Sequence, residues 1–119
     1  MLPRRHRMVA PADFRQALRR GRHGGTKHLV VHYATDQTGP TAPLVGFAVP
    51  KRELAHATDR HRVQRQLRHL VADYVDALPA SARLVISVKA TALGCTSECL
   101  RRSLVTGLRK VGALEADAT

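Results

Sequence analysis

Apolar residues recur at spacings of three and four through Val63, Leu67, Leu70, Val71, Tyr74, Val75 and Leu78. At about 100° per residue these positions line one face of a helix. The spacing predicts a helix over 59–78, closed by Pro79, with Thr58 or Asp59 as the cap. A shorter helix is expected over 11–20. Pro11 suits its start, Phe14, Ala17 and Leu18 share a face, and Gly21 suits its stop. A last helix follows Thr96, a capping residue, with Glu98 in its first turn. Its apolar stripe is Leu100, Leu104, Leu108 and Val111, and Arg101, Arg102, Arg109 and Lys110 mostly face solvent.

Between the helices the period shortens to two. Over 28–35, Leu29, Val31 and Tyr33 point one way and His28, Val30 and His32 the other. Asp36–Pro40 reads as a turn or loop. Leu44 to Pro50 reads as a second strand, with Val45, Phe47 and Val49 on one face. Gly46 and Ala48 leave its other face nearly bare, so another group can approach closely. Leu84–Val88 is a mostly apolar, buried-type strand that ends at Lys89. The order is α-β-β-α-β-α, with room for one more short strand near 21–28. This is a small α+β two-layer sandwich, helices on a mixed central sheet, in which the second helix makes a β-α-β crossover beside an antiparallel hairpin. By the general rule such a crossover is right-handed. All 119 residues form one domain. Residues 1–9 read as a flexible basic arm, either a solubilising tail or one that orders on a polyanion, and 115–119 as a frayed tail.

Charge changes the picture. The chain carries a net charge of +11, and sixteen of its twenty cations are arginine. That bias favours bidentate contacts to phosphate over simple solubility. Arg60-His61-Arg62-Val63-Gln64-Arg65-Gln66-Leu67-Arg68 holds four arginines and no acid at the start of the second helix. His61, Arg65 and Arg68 share a face there. A helix N-terminus is already partly positive, so arginines at that place are unfavourable unless an anion joins them. A solvated basic face is the plainer reading, and the charge of the whole chain argues against it. Nucleic acid is the leading partner. A membrane partner lacks any long apolar segment, signal peptide or lipid-attachment motif, so the expected location is cytoplasmic. Aromatics are 3% of the chain, which favours recognition of backbone and RNA shape over base stacking.

Catalytic chemistry is hard to find. Gly21-Arg22-His23-Gly24-Gly25 follows a helix and lacks the Gly-Lys-Ser/Thr ending of a phosphate loop. Cys95 and Cys99 have a C-x3-C spacing, but no second ligand pair has zinc-type spacing, and two reduced thiols are the default expectation. Asp73 and Asp76 read as an exposed pair at the end of the second helix. No serine sits in a nucleophile elbow. Neither a catalytic group nor a metal ligand set is assigned to this chain.

Val45-Gly46-Phe47-Ala48-Val49-Pro50-Lys51, a short loop, and then Ala57-Thr58-Asp59-Arg60-His61-Arg62-Val63-Gln64-Arg65-Gln66-Leu67-Arg68 resemble the signature of the bacterial ribonuclease P protein subunit. That family shows a glycine-aliphatic strand ending in Ser-Lys, then Asn-Ala-x-x-Arg-Asn-Arg-hydrophobic-Lys-Arg-x-hydrophobic-Arg. The basic arm, Asp13-Phe14, Gly21-Arg22, Tyr33 and Lys89 match in order. His61 stands for the family's central Asn, Gln64 for Lys, Pro50 for Ser, and Ala55-His56 for Gly-Asn.

The resemblance implies a protein that assists a large catalytic RNA in cutting the 5′ leader from precursor tRNA. The RNA would supply the cleavage site and hold the Mg2+ ions. It also implies a left-handed crossover, as in the second domain of a ribosomal protein of the small subunit. On this reading Lys51, Arg52, Arg60, His61, Arg62, Arg65 and Arg68 grip phosphates of the catalytic RNA. Phe14, Leu18, Tyr33 and Lys89 line the leader cleft. For Phe14 and Leu18 ordinary core packing is the alternative, and for Tyr33 and Lys89 a half-buried strand residue and a solvated strand end. Among other functions, a structural RNA-binding protein of ribosomal or ribosome-assembly type is the runner-up. A DNA-binding regulator lacks helix-turn-helix spacing. A self-sufficient nuclease lacks suitably grouped acids or histidines.

Overall fold

The computed structural model describes residues 6–8, 11–35 and 42–114. The elements run α1 (Pro11–Arg20), β1 (Arg22–Gly25), β2 (Leu29–Thr35), β3 (Leu44–Ala48), α2 (Ala57–Ala72), β4 (Ala82–Val88) and α3 (Ser97–Lys110). Short 3-10 turns at Val75–Ala77 and Ala90–Gly94 follow α2 and β4. The four strands form one mixed sheet in the order β1-β2-β4-β3. β1 and β2 form an antiparallel hairpin, and β1 is the extra short strand expected near 21–28; the two strands expected to make the hairpin, 28–35 and 44–50, do not pair, because β4 lies between them. β2 runs antiparallel to β4, with Leu29 opposite Val88 and Tyr33 opposite Leu84. β3 runs parallel to β4, with Val45 opposite Leu84, so α2 is the crossover between them.

Side-chain alternation divides the sheet. Leu29, Val31, Val45, Leu84, Ile86 and Val88 pack with Val63, Leu67, Leu70 and Val71 of α2 and Leu100, Leu104 and Leu108 of α3. The opposite face carries a smaller cluster in which Val85 packs with Ala17 of α1 and with Met8. β4 is central and buried on both sides, which is why it reads as a nearly unbroken apolar run. It begins two residues before the expected strand and includes Arg83, fully buried, whose Nη1 donates to the carbonyls of Ala82 and Ala42.

Two close approaches depend on glycine. A Cβ on Gly46 would lie 2.6 Å from ring atoms of Phe14, so the bare face of β3 is where α1 sets its aromatic ring. A Cβ on Gly107 would lie 2.5 Å from Cγ2 of Val31, so Gly107 lets α3 close onto β2.

Three further expectations need correction. The second helix starts at Ala57 with His56 as its extended N-cap, and no side chain caps it. Thr58 and Asp59 therefore lie inside the first turn, where Asp59 complements the helix dipole. The same helix ends at Ala72 rather than 78. Asp73 and Tyr74 then bond to Leu70 and Val71, a tightened last turn. Leu78 is extended (φ -83, ψ 147), as a residue before proline prefers. Asp73 and Asp76 thus lie beyond the α-helix. Finally, Cys95 and Cys99 are joined as a disulfide, not held as free thiols. Cys95 precedes the Thr96 cap and Cys99 falls in the first turn, which brings the Cα atoms to 5.6 Å, inside disulfide range.

Of the expected basic arm, His6, Arg7 and Met8 are described, and they dock on the sheet edge. Arg7 bridges in parallel to Val45, Met8 N–H donates to the Val45 carbonyl at 2.8 Å, and His6 Nδ1 lies 2.9 Å from the Pro43 carbonyl. The rest of the arm (1–5 and 9), the Asp36–Pro40 loop and the 115–119 tail lie outside the described residues.

Val31 is β-branched and cannot swing aside cheaply. Gly107→Ala should lower the unfolding free energy by about 1–3 kcal/mol. Gly94→Ala, whose added Cβ meets nothing within 4 Å, should change it by less than about 0.5 kcal/mol. Urea unfolding of the two variants measures the difference.

Candidate nucleic-acid interface

The parallel pairing of β3 with β4 collects cations at one end of the sheet. β3 ends there, and a turn held by N–H groups of Glu53 and Leu54 on the Pro50 carbonyl leaves Lys51 and Arg52 exposed. α2 starts at the same end, and β4 finishes there at Lys89. Glu53 Oε2 accepts from the Ala90 N–H at 3.2 Å and ties the two loops together.

Along α2, His61, Arg62 and Arg65 are exposed and, with Thr58, line a surface groove of about 270 Å³. Arg68 and Gln64 turn toward a second recess of about 280 Å³, shared with Arg7, Met8, Phe14, Val45, Gly46 and Phe47. Arg60 differs from its neighbours. Its Nη1 donates at 2.9 Å to the carbonyls of Leu54 and Ala55, so it braces the loop that leads into the helix. Among the described residues, Lys51, Arg52, His61, Arg62, Arg65 and Arg68 make no ion pair or side-chain hydrogen bond. The arginines of α3 behave otherwise: Arg101 pairs with Asp73 at 2.9 Å and Arg102 with Glu98 at 3.1 Å. The α2 row thus meets the requirement set by its position. Uncapped N–H groups and unpaired guanidinium groups face the same solvent, ready for phosphate oxygens.

The expected leader-cleft residues are only partly brought together. Phe14 sits on Gly46 in the recess beside Arg68, and Leu18, one turn along α1, is 47% exposed while Ala17 is buried. Tyr33 lies on the other face of the sheet, packed against the α2–α3 core, and lines a recess with Gly21, Arg22, Val111 and Gly112. Burial pushes its phenol pKa up, and Arg22 partly offsets this. Lys89 Nζ donates to the Thr26 carbonyl at 2.6 Å, which braces the turn before β2.

Sequence reasoning alone passes over His32, on the α1 side, and reads Arg7 and Met8 as part of a flexible arm. His32 alternates with Val31 and Tyr33 and so faces the side that carries α1. Its ring lies 6.1 Å from that of His23 on the paired strand. Strand alternation was the available signal for it, since it set His32 opposite Tyr33. Arg7 and Met8 were hidden because edge docking leaves no periodic mark.

Burial, and then the neighbouring His23, hold the His32 pKa below its ordinary 6.5. The unfolded chain therefore binds a proton that the folded chain resists. The contribution of neutral His32 is intact above pH 6.5 and is lost as pH falls toward the folded value. His32→Gln should flatten the acid side of the stability profile. Denaturant midpoints from neutral pH down to about pH 5 check this, because histidine titrates in that range.

A family model described as ribonuclease P matches residues 2–112. A ribonuclease P protein component from Nocardioides sp. is 40% identical over 114 residues, covering 95% of this chain and 97% of the relative. Another, from Mycobacterium sp. (strain KMS), is 37% identical over 110 residues, covering 92% of each. In three dimensions the chain is similar to the RNase P protein of Staphylococcus aureus (TM-score 0.80, 18% identity, 92% of this chain and 98% of that one). It is also similar to that of Thermotoga maritima (TM-score 0.72, 16% identity, 92% and 98%). These likenesses bear out the α+β fold with its mixed sheet. With the sequence relatives, which cover nearly the whole of both chains, they establish that the chain belongs to the ribonuclease P protein family.

Proposed function

We infer that this chain is the protein subunit of ribonuclease P. It binds the catalytic RNA through the α2 row and assists removal of the 5′ leader from precursor tRNA. The observation that carries the reading is the row itself. Beyond Arg60, the exposed His61, Arg62 and Arg65 and the half-buried Arg68, all without protein partners among the described residues, run along α2 to a recess floored by Gly46 and Phe14.

In this reading Lys51, Arg52, His61, Arg62, Arg65 and Arg68 contact phosphates, and Arg60 acts partly by positioning the loop before them. Phe14 and the exposed Leu18 offer apolar contact to the leader. Cleavage belongs to the RNA. Magnesium is assigned to the RNA with it. The work of this chain is to hold RNA and leader in register by charge and shape. No helix among the described residues is long and apolar enough to cross a membrane.

Two measurements test this. Cleavage of a precursor tRNA by a bacterial ribonuclease P RNA at low magnesium should rise strongly when the chain is added, and the gain should shrink as the leader is shortened. Tight RNA binding without stimulation would favour a purely structural RNA-binding role. Arg65→Ala with Arg68→Ala should weaken binding to the catalytic RNA and flatten the salt dependence by about 0.7–0.9 in log–log slope for each phosphate released from the protein. An unchanged slope removes α2 from the interface.

The placement of Phe14 and Tyr33 separates their roles. Phe14→Ala should weaken binding of leader-bearing precursor and spare mature tRNA. Tyr33→Ala should lower stability and affect both RNAs alike. Binding assays with the two RNAs, alongside unfolding of both variants, decide between the residues.

A further inference from the structure

His28, Cys95 and Cys99 converge from three separate pieces of chain, the turn before β2, the loop after the Ala90–Gly94 turn, and the first turn of α3. One ligand atom of each lies within 4.8 Å of the others. His28 is 9% exposed, and its Nε2 lies 3.3 Å from Cys99 Sγ. None of these residues belongs to the α2 row or to the Phe14 recess, and ribonuclease P function as read above does not use them.

The hydrogen bonds around His28 select its tautomer. Thr91 Oγ1 lies 2.9 Å from the Lys27 carbonyl and 2.9 Å from His28 Nδ1. The carbonyl can only accept, so the single hydroxyl proton goes to it. The ring must then donate from Nδ1 to the Thr91 oxygen, and in the neutral ring this sets the lone pair on Nε2, facing the sulfur. An imidazole that donates from one nitrogen to an oxygen and presents the other nitrogen bare is arranged as a metal ligand is. The sulfurs are suited as well. Cys99 sits in the first turn of α3, and a C-x3-C spacing lies in the range used for zinc. With metal–sulfur bonds of about 2.3 Å and metal–nitrogen bonds of about 2.0 Å, tetrahedral geometry sets sulfur and nitrogen about 3.5 Å apart. The His28–Cys99 separation already approaches this.

We propose that His28, Cys95 and Cys99 form a site for one thiophilic divalent cation of the zinc class, open when the two sulfurs are thiols and closed when they are joined as the disulfide. Three protein ligands leave a fourth position for solvent, since both cysteines are partly exposed. Opening the site requires a reductant. With a water-soluble phosphine, phosphorus attacks the S–S bond and takes an oxygen from water, leaving as the phosphine oxide. The two sulfurs gain the two electrons and two protons and become thiols. On metal binding each thiol releases its proton to solvent, and the cation accepts a lone pair from each sulfur and from Nε2. The bound ion would clamp the N-terminus of α3 to the turn before β2.

The test uses the untagged full chain, reduced with the phosphine, freed of it, and titrated with Co2+ under anaerobic conditions. The reduced chain should bind one Co2+ with a sulfur-to-cobalt charge-transfer band, which Zn2+ then displaces, and Zn2+ should raise its melting temperature. The oxidised chain should show no band. Cys99→Ser should abolish the band, His28→Gln should weaken Co2+ binding at least tenfold, and Thr91→Val should weaken it about 10–100-fold through loss of the orienting acceptor. A reduced chain without the band overturns the proposal, and so does His28→Gln with unchanged affinity. If His28→Gln does not fold, the unsubstituted chain still decides, because equal uptake by its reduced and oxidised forms places the metal on other residues.

Discussion

Parallel pairing of β3 with β4 is the constraint on which the rest of the structure depends. Parallel neighbours cannot be joined by a tight turn, so the chain must travel back along the sheet before β4 can begin. α2 is that return path. Its N-terminus is therefore delivered to the end of the sheet where β3 runs out into Lys51 and Arg52. The arginine row and the strand-end cations are neighbours because of backbone topology. The sheet also fixes which side of α2 is hidden. Val63, Leu67, Leu70 and Val71 must face β3 and β4, and the arginines take the side that is left.

That arrangement has an electrostatic cost. Helix dipole, unpaired guanidinium groups and a net charge of +11 repel one another in the free protein. The chain offsets such repulsion on α3, where Asp73 and Glu98 meet Arg101 and Arg102. On α2 it does not, and a polyanion would supply the missing charge. The opposite face of the sheet is quieter. There α1 lays Phe14 on Gly46 and leaves Leu18 in solvent, an apolar shelf beside the last arginine of the row.

The cysteines show a different kind of dependence on tertiary structure. Their spacing is local, but the histidine that meets them lies far away in sequence. Strand β2, hydrogen-bonded along β4, carries His28 to the level of Lys89, whose N–H donates to the His28 carbonyl. The Thr91 hydroxyl then orients the ring. No spacing rule connects residue 28 with residues 95 and 99.

The sequence by itself determined the elements, the family and the charge of the α2 face. Each of these is written in local periodicity, in an ordered motif, or in a run of like charges, and needs no partner from elsewhere in the chain. The buried stripes of α2 and α3 and the bare face at Gly46 were legible for that reason, and strand alternation grouped Tyr33 with Leu29 and Val31. Tertiary structure alone decided which face of the sheet α1 would cover, and so separated Tyr33 from Phe14. It also decided that α2 starts at Ala57 after an extended His56, that Arg60 turns back to the carbonyls of Leu54 and Ala55, that Lys89 is held by Thr26, and that His28 meets the cysteines. The face that α1 covers, the hold of Thr26 on Lys89 and the meeting of His28 with the cysteines rest on contacts between segments far apart in the chain, and the loop geometry at His56 and Arg60 follows from where the sheet ends. Their geometry is set by sheet register and by which helix occupies which face, and neither leaves a periodic trace in the residues themselves.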